Sequence, residues 1–191
     1  MIEFPPANLQ TLAHEIYVLL KSRNETVSVA ETAAGGLISA SILSVAGASA
    51  IYKGGLTVSS LSPNQSNDTR LISQQVYTLE SRLAFAGWTK ANIENYSGPT
   101  TDIVSGLAEH TRKTLESTYA ISESGTAGPT GGTTRNRTPG YVALAISTPN
   151  GPVTREVETG SNDRAGNMVR FAEEALKLLR DVLNQSGGAS L

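Results

Sequence analysis

The chain has 191 residues, no cysteine, 15 basic against 17 acidic side chains and a formal charge of −2. This length fits one domain of the usual roughly 100–200 residues, and the lack of cysteine excludes disulfide scaffolds, thiolate metal sites, iron–sulfur clusters and cysteine nucleophiles. The near-even charge balance leaves no basic stripe to follow a duplex, so no nucleic-acid partner is expected. No apolar run approaches the about 20 residues that cross a bilayer. Met1-Ile-Glu-Phe-Pro-Pro6 carries neither the basic nor the apolar region of a signal peptide. The expectation is a cytoplasmic protein with no membrane partner.

In chain order, Asn8 is read as the cap of a first helix in which Leu9, Leu12, Ala13, Ile16, Leu19 and Leu20 recur at helical spacing, ending near Lys21 to Asn24. Thr26 to Ala30 is a β-branched strand that enters Glu31-Thr-Ala-Ala-Gly-Gly36 and a helix from Leu37 to about Val45. Ile51 to Thr57 reads as a second strand. From 58 to 76 the chain becomes rich in Ser, Asn and Gln and loses any apolar period, which marks a polar insertion. Helical patterns return over Tyr77–Gly87 and Trp88–Asn95. A helix capped from Thr101 and Asp102 then runs to about Ser117. Tyr119 to Ile121 is a buried strand leading into a long Gly-rich loop, Ser122 to Pro139. Tyr141–Ser147 and Val153–Glu158 flank Asn150-Gly151 and predict an antiparallel hairpin. Ser161 to Asp163 caps a final long helix, and 185–191 is a Gly- and Ser-rich tail, predicted to be flexible. Helices interleaved with strands, plus one hairpin, predict a single α/β domain: a three-layer α/β/α sandwich on a mixed sheet.

The two Gly-rich turns, 31–36 and 122–132, are where backbone N–H groups can approach an anion or a developing oxyanion. Neither has the spacing of a P-loop or of a dinucleotide-binding fingerprint. By themselves they read first as loops whose glycines serve the chain alone. His14 and His110, the only histidines, both fall inside predicted helices, which disfavours a Ser-His-Asp triad and an imidazole metal site.

Four blocks resemble the CinA carboxy-terminal domain family. Ala30-Glu-Thr-Ala-Ala-Gly-Gly36 is similar to that family's Ala-Glu-Ser-Cys-Thr-Gly-Gly. Gly47-Ala-Ser-Ala and Gly54-Gly-Leu-Thr57 resemble its Gly-Ser-Ser and Gly-Val-Val-Thr. Ser124-Gly-Thr-Ala-Gly-Pro-Thr-Gly-Gly132 resembles Ser-Gly-Ile-Ala-Gly-Pro-x-Gly-Gly and is the most specific block, and Gly160-Ser-Asn-Asp-Arg164 resembles a Gly-Asp-Arg before the last helix. The resemblance implies deamidation of nicotinamide mononucleotide or a related carboxamide, with no cofactor or metal, a nucleotide as small-molecule partner, and self-association into a homo-oligomer. It makes Thr32 the nucleophile in the family's serine position, with Tyr77 and Arg82 in place of its tyrosine and lysine. Glu31, Gly35, Gly36, Ser124, Gly125, Gly128, Gly131, Gly132 and Arg164 become the substrate-binding set. Two departures stand out. The methyl group of Thr32 crowds attack, and an arginine, with a pKa above about 12, is no general base. The alternative is a family member that has lost the chemistry and binds a nucleotide or serves as an interaction scaffold.

The polar insertion supports a separate expectation. Deleting 58–75 joins Leu56-Thr57 to Val76-Tyr77 and restores the family's path from strand to tyrosine. Val58-Ser59 can be encoded by GTNAGY and Gln75 by CAG, the forms of an intron donor and acceptor. The segment is thus compatible either with an ordinary loop insertion or with a translated retained intron.

Overall fold

The computed structural model describes residues 4–57, 83, 86–94 and 96–187. The first helix, α1 (Ala7–Ser22), follows Pro6, whose carbonyl accepts from the N–H groups of Leu9 and Gln10 at 2.9 and 3.1 Å. Proline is preorganised for helix entry, so the start moves ahead of Asn8, which lies inside the first turn rather than capping it. Strand β1 (Val27–Glu31) is buried throughout. Helix α2 (Leu37–Leu43) and a 3₁₀ turn (Ala48–Ala50) lead to β2 (Tyr52–Thr57), whose residues alternate between half-buried and exposed. After the short α3 (Lys90–Glu94), α4 (Thr101–Thr114) is capped by Thr100, whose Oγ1 accepts from the Ile103 N–H at 3.3 Å. Glu116 has a left-handed φ of 50°, which ends the helix before Ser117.

Strand β3 (Tyr119–Gly125) pairs with β4 (Tyr141–Thr148), which pairs with β5 (Gly151–Glu158); α5 (Arg164–Gly187) follows. Three expectations shift here. Ser122, Glu123, Ser124 and Gly125 are strand rather than loop, because β4 pairs with them from Ser122↔Ala145 to Gly125↔Val142. The hairpin turn centres on Pro149-Asn150, with Gly151 at φ 114° opposite Thr148. The last helix continues through Gly187, past the start of the predicted tail.

The sheet runs β2-β1-β3-β4-β5, with β1 parallel to β2 and to β3, and antiparallel pairing thereafter. Alternation along the strands divides the core. Val27, Val29, Ile121, Val142, Leu144 and Ile146 join the buried faces of α1, α2 and α5. Ala120, Ala143 and Ala145 face the other way and pack with Tyr141 against Val104 and Ala108 of α4, where the small side chains let the helix lie close. This is the expected three-layer α/β/α arrangement. The chain leaves β1 toward β2 on one side and later returns with β3 on the other. The carboxyl ends of β1 and β3 therefore form the sheet's topological switch point, where open α/β sheets bind ligands.

Candidate functional site

The two Gly-rich segments meet at that switch point. After β1, the chain turns through Thr32–Gly36 before α2. Gly36, at φ 101°, occupies the helix N-cap, a conformation that a side chain rarely adopts. Thr32 is only 7% exposed.

Two buried acids organise this turn. Glu31, at the end of β1, accepts from the N–H groups of Ile38 and Ser39 at 3.0 and 3.1 Å and from the Ser39 hydroxyl at 2.6 Å. The backbone donors at the start of α2 thus close on a residue of the preceding strand, and the helix end favours the negative charge. Glu123 belongs to β3, next to β1, one step beyond the Ala30↔Ser122 pair. Its Oε2 accepts from the N–H groups of Thr32 at 3.0 Å and Ala34 at 2.9 Å. Its Oε1 is buried and has no hydrogen-bond partner among the described residues. Burial pushes the Glu123 carboxyl up to about 7; the N–H groups of Ala34, Thr32 and, least, Ala33 oppose the shift and the nearby Glu31 adds to it. Glu123 was missed by sequence reasoning because Ser-Glu-Ser reads as polar loop. The signal available was its position two residues after Ile121 on an alternating strand.

The second loop leaves β3 at Gly125 and is anchored by α5. Asn167, 1% exposed, donates from Nδ2 to the carbonyls of Ala127 and Ser161, both at 2.8 Å, and accepts from the Thr159 hydroxyl at 2.6 Å. Arg164 donates to the Gly128 carbonyl at 3.2 Å. The same helix reaches the first turn, since a Cβ on Gly35 would come within 2.8 Å of Met168 Cε. The first turns of α5 therefore touch both Gly-rich segments. The glycines of the second loop are packed against the chain itself. A Cβ on Gly125 would meet the Tyr141 carbonyl at 2.7 Å, and one on Gly128 the Asn162 carbonyl at 2.9 Å; on Gly131 and Gly132 it would meet Arg137.

Of the residues expected to form the site, Glu31, Thr32, Gly35 and Gly36 lie at the end of β1. Ser124 and Gly125 lie at the end of β3, Gly128, Gly131 and Gly132 in the loop after it, and Arg164 at the start of α5. Ser124 alternates with Glu123 and so faces the α4 side of the sheet, away from the two acids. Tyr77 and Arg82, and the polar insertion 58–76, lie outside the described residues. His14 sits on α1 with its ring tilted against Tyr17. His110 lines a cavity of about 570 Å³ with Gly54, Leu56, Gly87, Thr111 and Leu115, on the α4 side. Among the described residues no three His, Cys, Asp or Glu side chains gather as a metal site, and no helix is long and apolar enough to cross a membrane.

The fold and this double-loop arrangement define an α/β domain whose candidate ligand face lies at the ends of its parallel strands. Comparison gives it a family. The model of the CinA C-terminal domain matches residues 9–67 and 68–183, its break falling inside the polar segment. A CinA-like protein of Shewanella piezotolerans is 30% identical over 182 residues, covering 94% of this chain and 38% of that protein. A CinA-like protein of Fervidobacterium nodosum is 30% identical over 136 residues, 71% of this chain and 29% of that one. The crystal structure of competence/damage inducible protein CihA from Agrobacterium tumefaciens matches with a TM-score of 0.79 at 23% identity, over 96% of this chain and 99% of the other. A competence damage-inducible protein A from Klebsiella pneumoniae gives 0.76 at 20% identity, over 92% and 97%. The chain belongs to the CinA C-terminal domain family. It spans 38% and 29% of the length of the two curated relatives described above.

Proposed function

We propose that this domain hydrolyses the carboxamide of nicotinamide mononucleotide or a closely related nucleotide, with Thr32 as nucleophile. The observation that carries the reading is the convergence of the Thr32–Gly36 turn and the Gly125–Gly132 loop at the switch point, tied together by Arg164, Asn167 and Met168 of α5. In the reaction, Thr32 Oγ1 bonds to the carboxamide carbon and its proton passes to a base. The C–N bond then breaks, the nitrogen leaves as ammonia after taking up a proton, and water hydrolyses the acyl ester to give the carboxylate and free Thr32. The resemblance assigns the proton relay to Tyr77 under the influence of Arg82. Because the N–H groups of Thr32 and Ala34 are engaged by Glu123, and those of Ile38 and Ser39 by Glu31, the nucleotide phosphate is assigned to the second loop and Arg164.

The same engagement favours a second reading, a nucleotide-binding member without turnover, since donors held by internal carboxylates are not free for an oxyanion. Purified protein with nicotinamide mononucleotide, ammonia release and calorimetry separates the two. Ammonia release supports hydrolysis, whereas binding heat without ammonia overturns it in favour of the binding module. Neither heat nor a thermal shift would favour an interaction scaffold. The proposed homo-oligomer is tested by its mass in solution.

A further inference from the structure

Glu31 and Glu123 are both fully buried, sit on adjacent parallel strands and alternate with Val27, Val29 and Ile121 onto the same face of the sheet. In this apolar interior the charge of Glu31 disfavours ionisation of Glu123. Their hydrogen bonds differ. Glu31 has donors on both oxygens, three in all, at the start of α2. Glu123 has its two well-formed donors on Oε2, with the Ala33 N–H acting more weakly, and its Oε1 has no well-formed partner among the described residues. An ionised Glu123 would leave a buried charged oxygen with no well-formed protein donor among the described residues, whereas a protonated one keeps Oε2 as a neutral acceptor for the two N–H groups.

We propose that Glu123 is a positioning residue for Thr32: from the neighbouring strand its carboxyl, protonated beside Glu31, holds the turn that presents the Thr32 hydroxyl. The role of Thr32 as nucleophile rests on the function proposed above; the grip on the turn does not. Among the described residues, Glu31 of β1 is the charged group acting on Glu123. The cross-strand residue on β4 is Leu144, and α2 and α5 contribute Ile38 and Phe171 to the apolar core on that face. Separation of the protonation states of two neighbouring carboxyls by their environments is a pattern by which sites hold one acid neutral near pH 7.

The test uses the full chain and the variants Glu123→Gln and Glu123→Ala. Amide hydrogen exchange at Thr32 and Ala34 should speed up on the order of tenfold or more in Glu123→Ala, which removes the acceptor, and stay near wild type in Glu123→Gln, which keeps it. Wild-type melting temperature should fall as pH rises from 5 to 8, and that of Glu123→Gln should not follow it. If the protein releases ammonia, kcat should drop in Glu123→Ala and recover in Glu123→Gln. Wild-type protection of both amides in Glu123→Ala, or an unchanged pH dependence in Glu123→Gln, would overturn the proposal. If Glu123→Ala does not fold, the pH dependence of Glu123→Gln decides alone. Because exchange and melting need no substrate, absence of turnover would refute the hydrolase reading without touching this one.

Discussion

The Thr32 backbone N–H donates to Glu123 Oε2 at 3.0 Å, across 91 residues of sequence. The contact links the turn after β1 to the strand beside it, so the position of the proposed nucleophile depends on how β1 and β3 pair. A buried hydrogen bond of this kind is costly to break one partner at a time, because the orphaned group keeps its desolvation penalty.

Stability should fall with rising pH around neutrality. The Glu123 carboxyl titrates near 7 in the fold, raised mainly by burial, against an ordinary value of 4.5. The folded state then holds a proton that the unfolded chain has released, so the contribution is full below about pH 4.5 and is lost as pH rises through 7. The upper bound is on the order of 3 kcal/mol. Urea unfolding at a series of pH values measures it, and a flat profile between 5 and 8 would contradict the assignment.

Thr32→Ala should abolish ammonia release while costing only about 1 kcal/mol of stability, since little more than a methyl and a hydroxyl is removed. Thr32→Ser should raise kcat by removing the crowding methyl. Steady-state kinetics on the three proteins checks both; an active Thr32→Ala would eliminate this nucleophile.

Asn167→Ala should destabilise by about 2–3 kcal/mol, leaving two carbonyls without their side-chain donor and the Thr159 hydroxyl proton without its acceptor. It should also free the loop after β3. Limited proteolysis between 126 and 139 should be faster in the variant, and equal rates would show that other contacts hold the loop.

Gly125→Ala should cost more than Gly35→Ala. The Gly125 Cβ would press on a backbone carbonyl of β4, which cannot move without disturbing the sheet, and about 2 kcal/mol or more is expected. At Gly35 the obstacle is the flexible end of Met168, so the main cost is left-handed backbone at φ 66°, about 1 kcal/mol. Thermal unfolding of the two variants ranks them, and the reverse order would refute this account.

Much of the architecture was legible because its signals are local. Leu9, Leu12, Ile16 and Leu20 mark a helix by spacing alone, and all four are buried. The β-branched run ahead of Glu31 marks a strand, and the pairing of β4 with β5 follows from a turn signal displaced by one residue. Legibility failed at Ser122–Gly125, where polar side chains pointed to a loop and long-range pairing with β4 made strand instead. It also failed at the start of α1, where the carbonyl before Ala7, on Pro6, receives the first helical bonds in preference to an Asn8 cap.

The sequence by itself determined the kind of chain this is: helices and strands in α/β order, two Gly-rich turns after strands, no thiol, and the blocks that mark its family. These depend on spacing within a few residues, which the covalent chain carries directly. Only the tertiary structure decided what those turns hold. Glu31 satisfies the start of its own following helix, while Glu123 reaches over from another strand to hold the Thr32 turn, and α5 touches both Gly-rich segments. Such contacts form between residues far apart in the chain, where burial removes water and leaves each N–H group a choice of few partners.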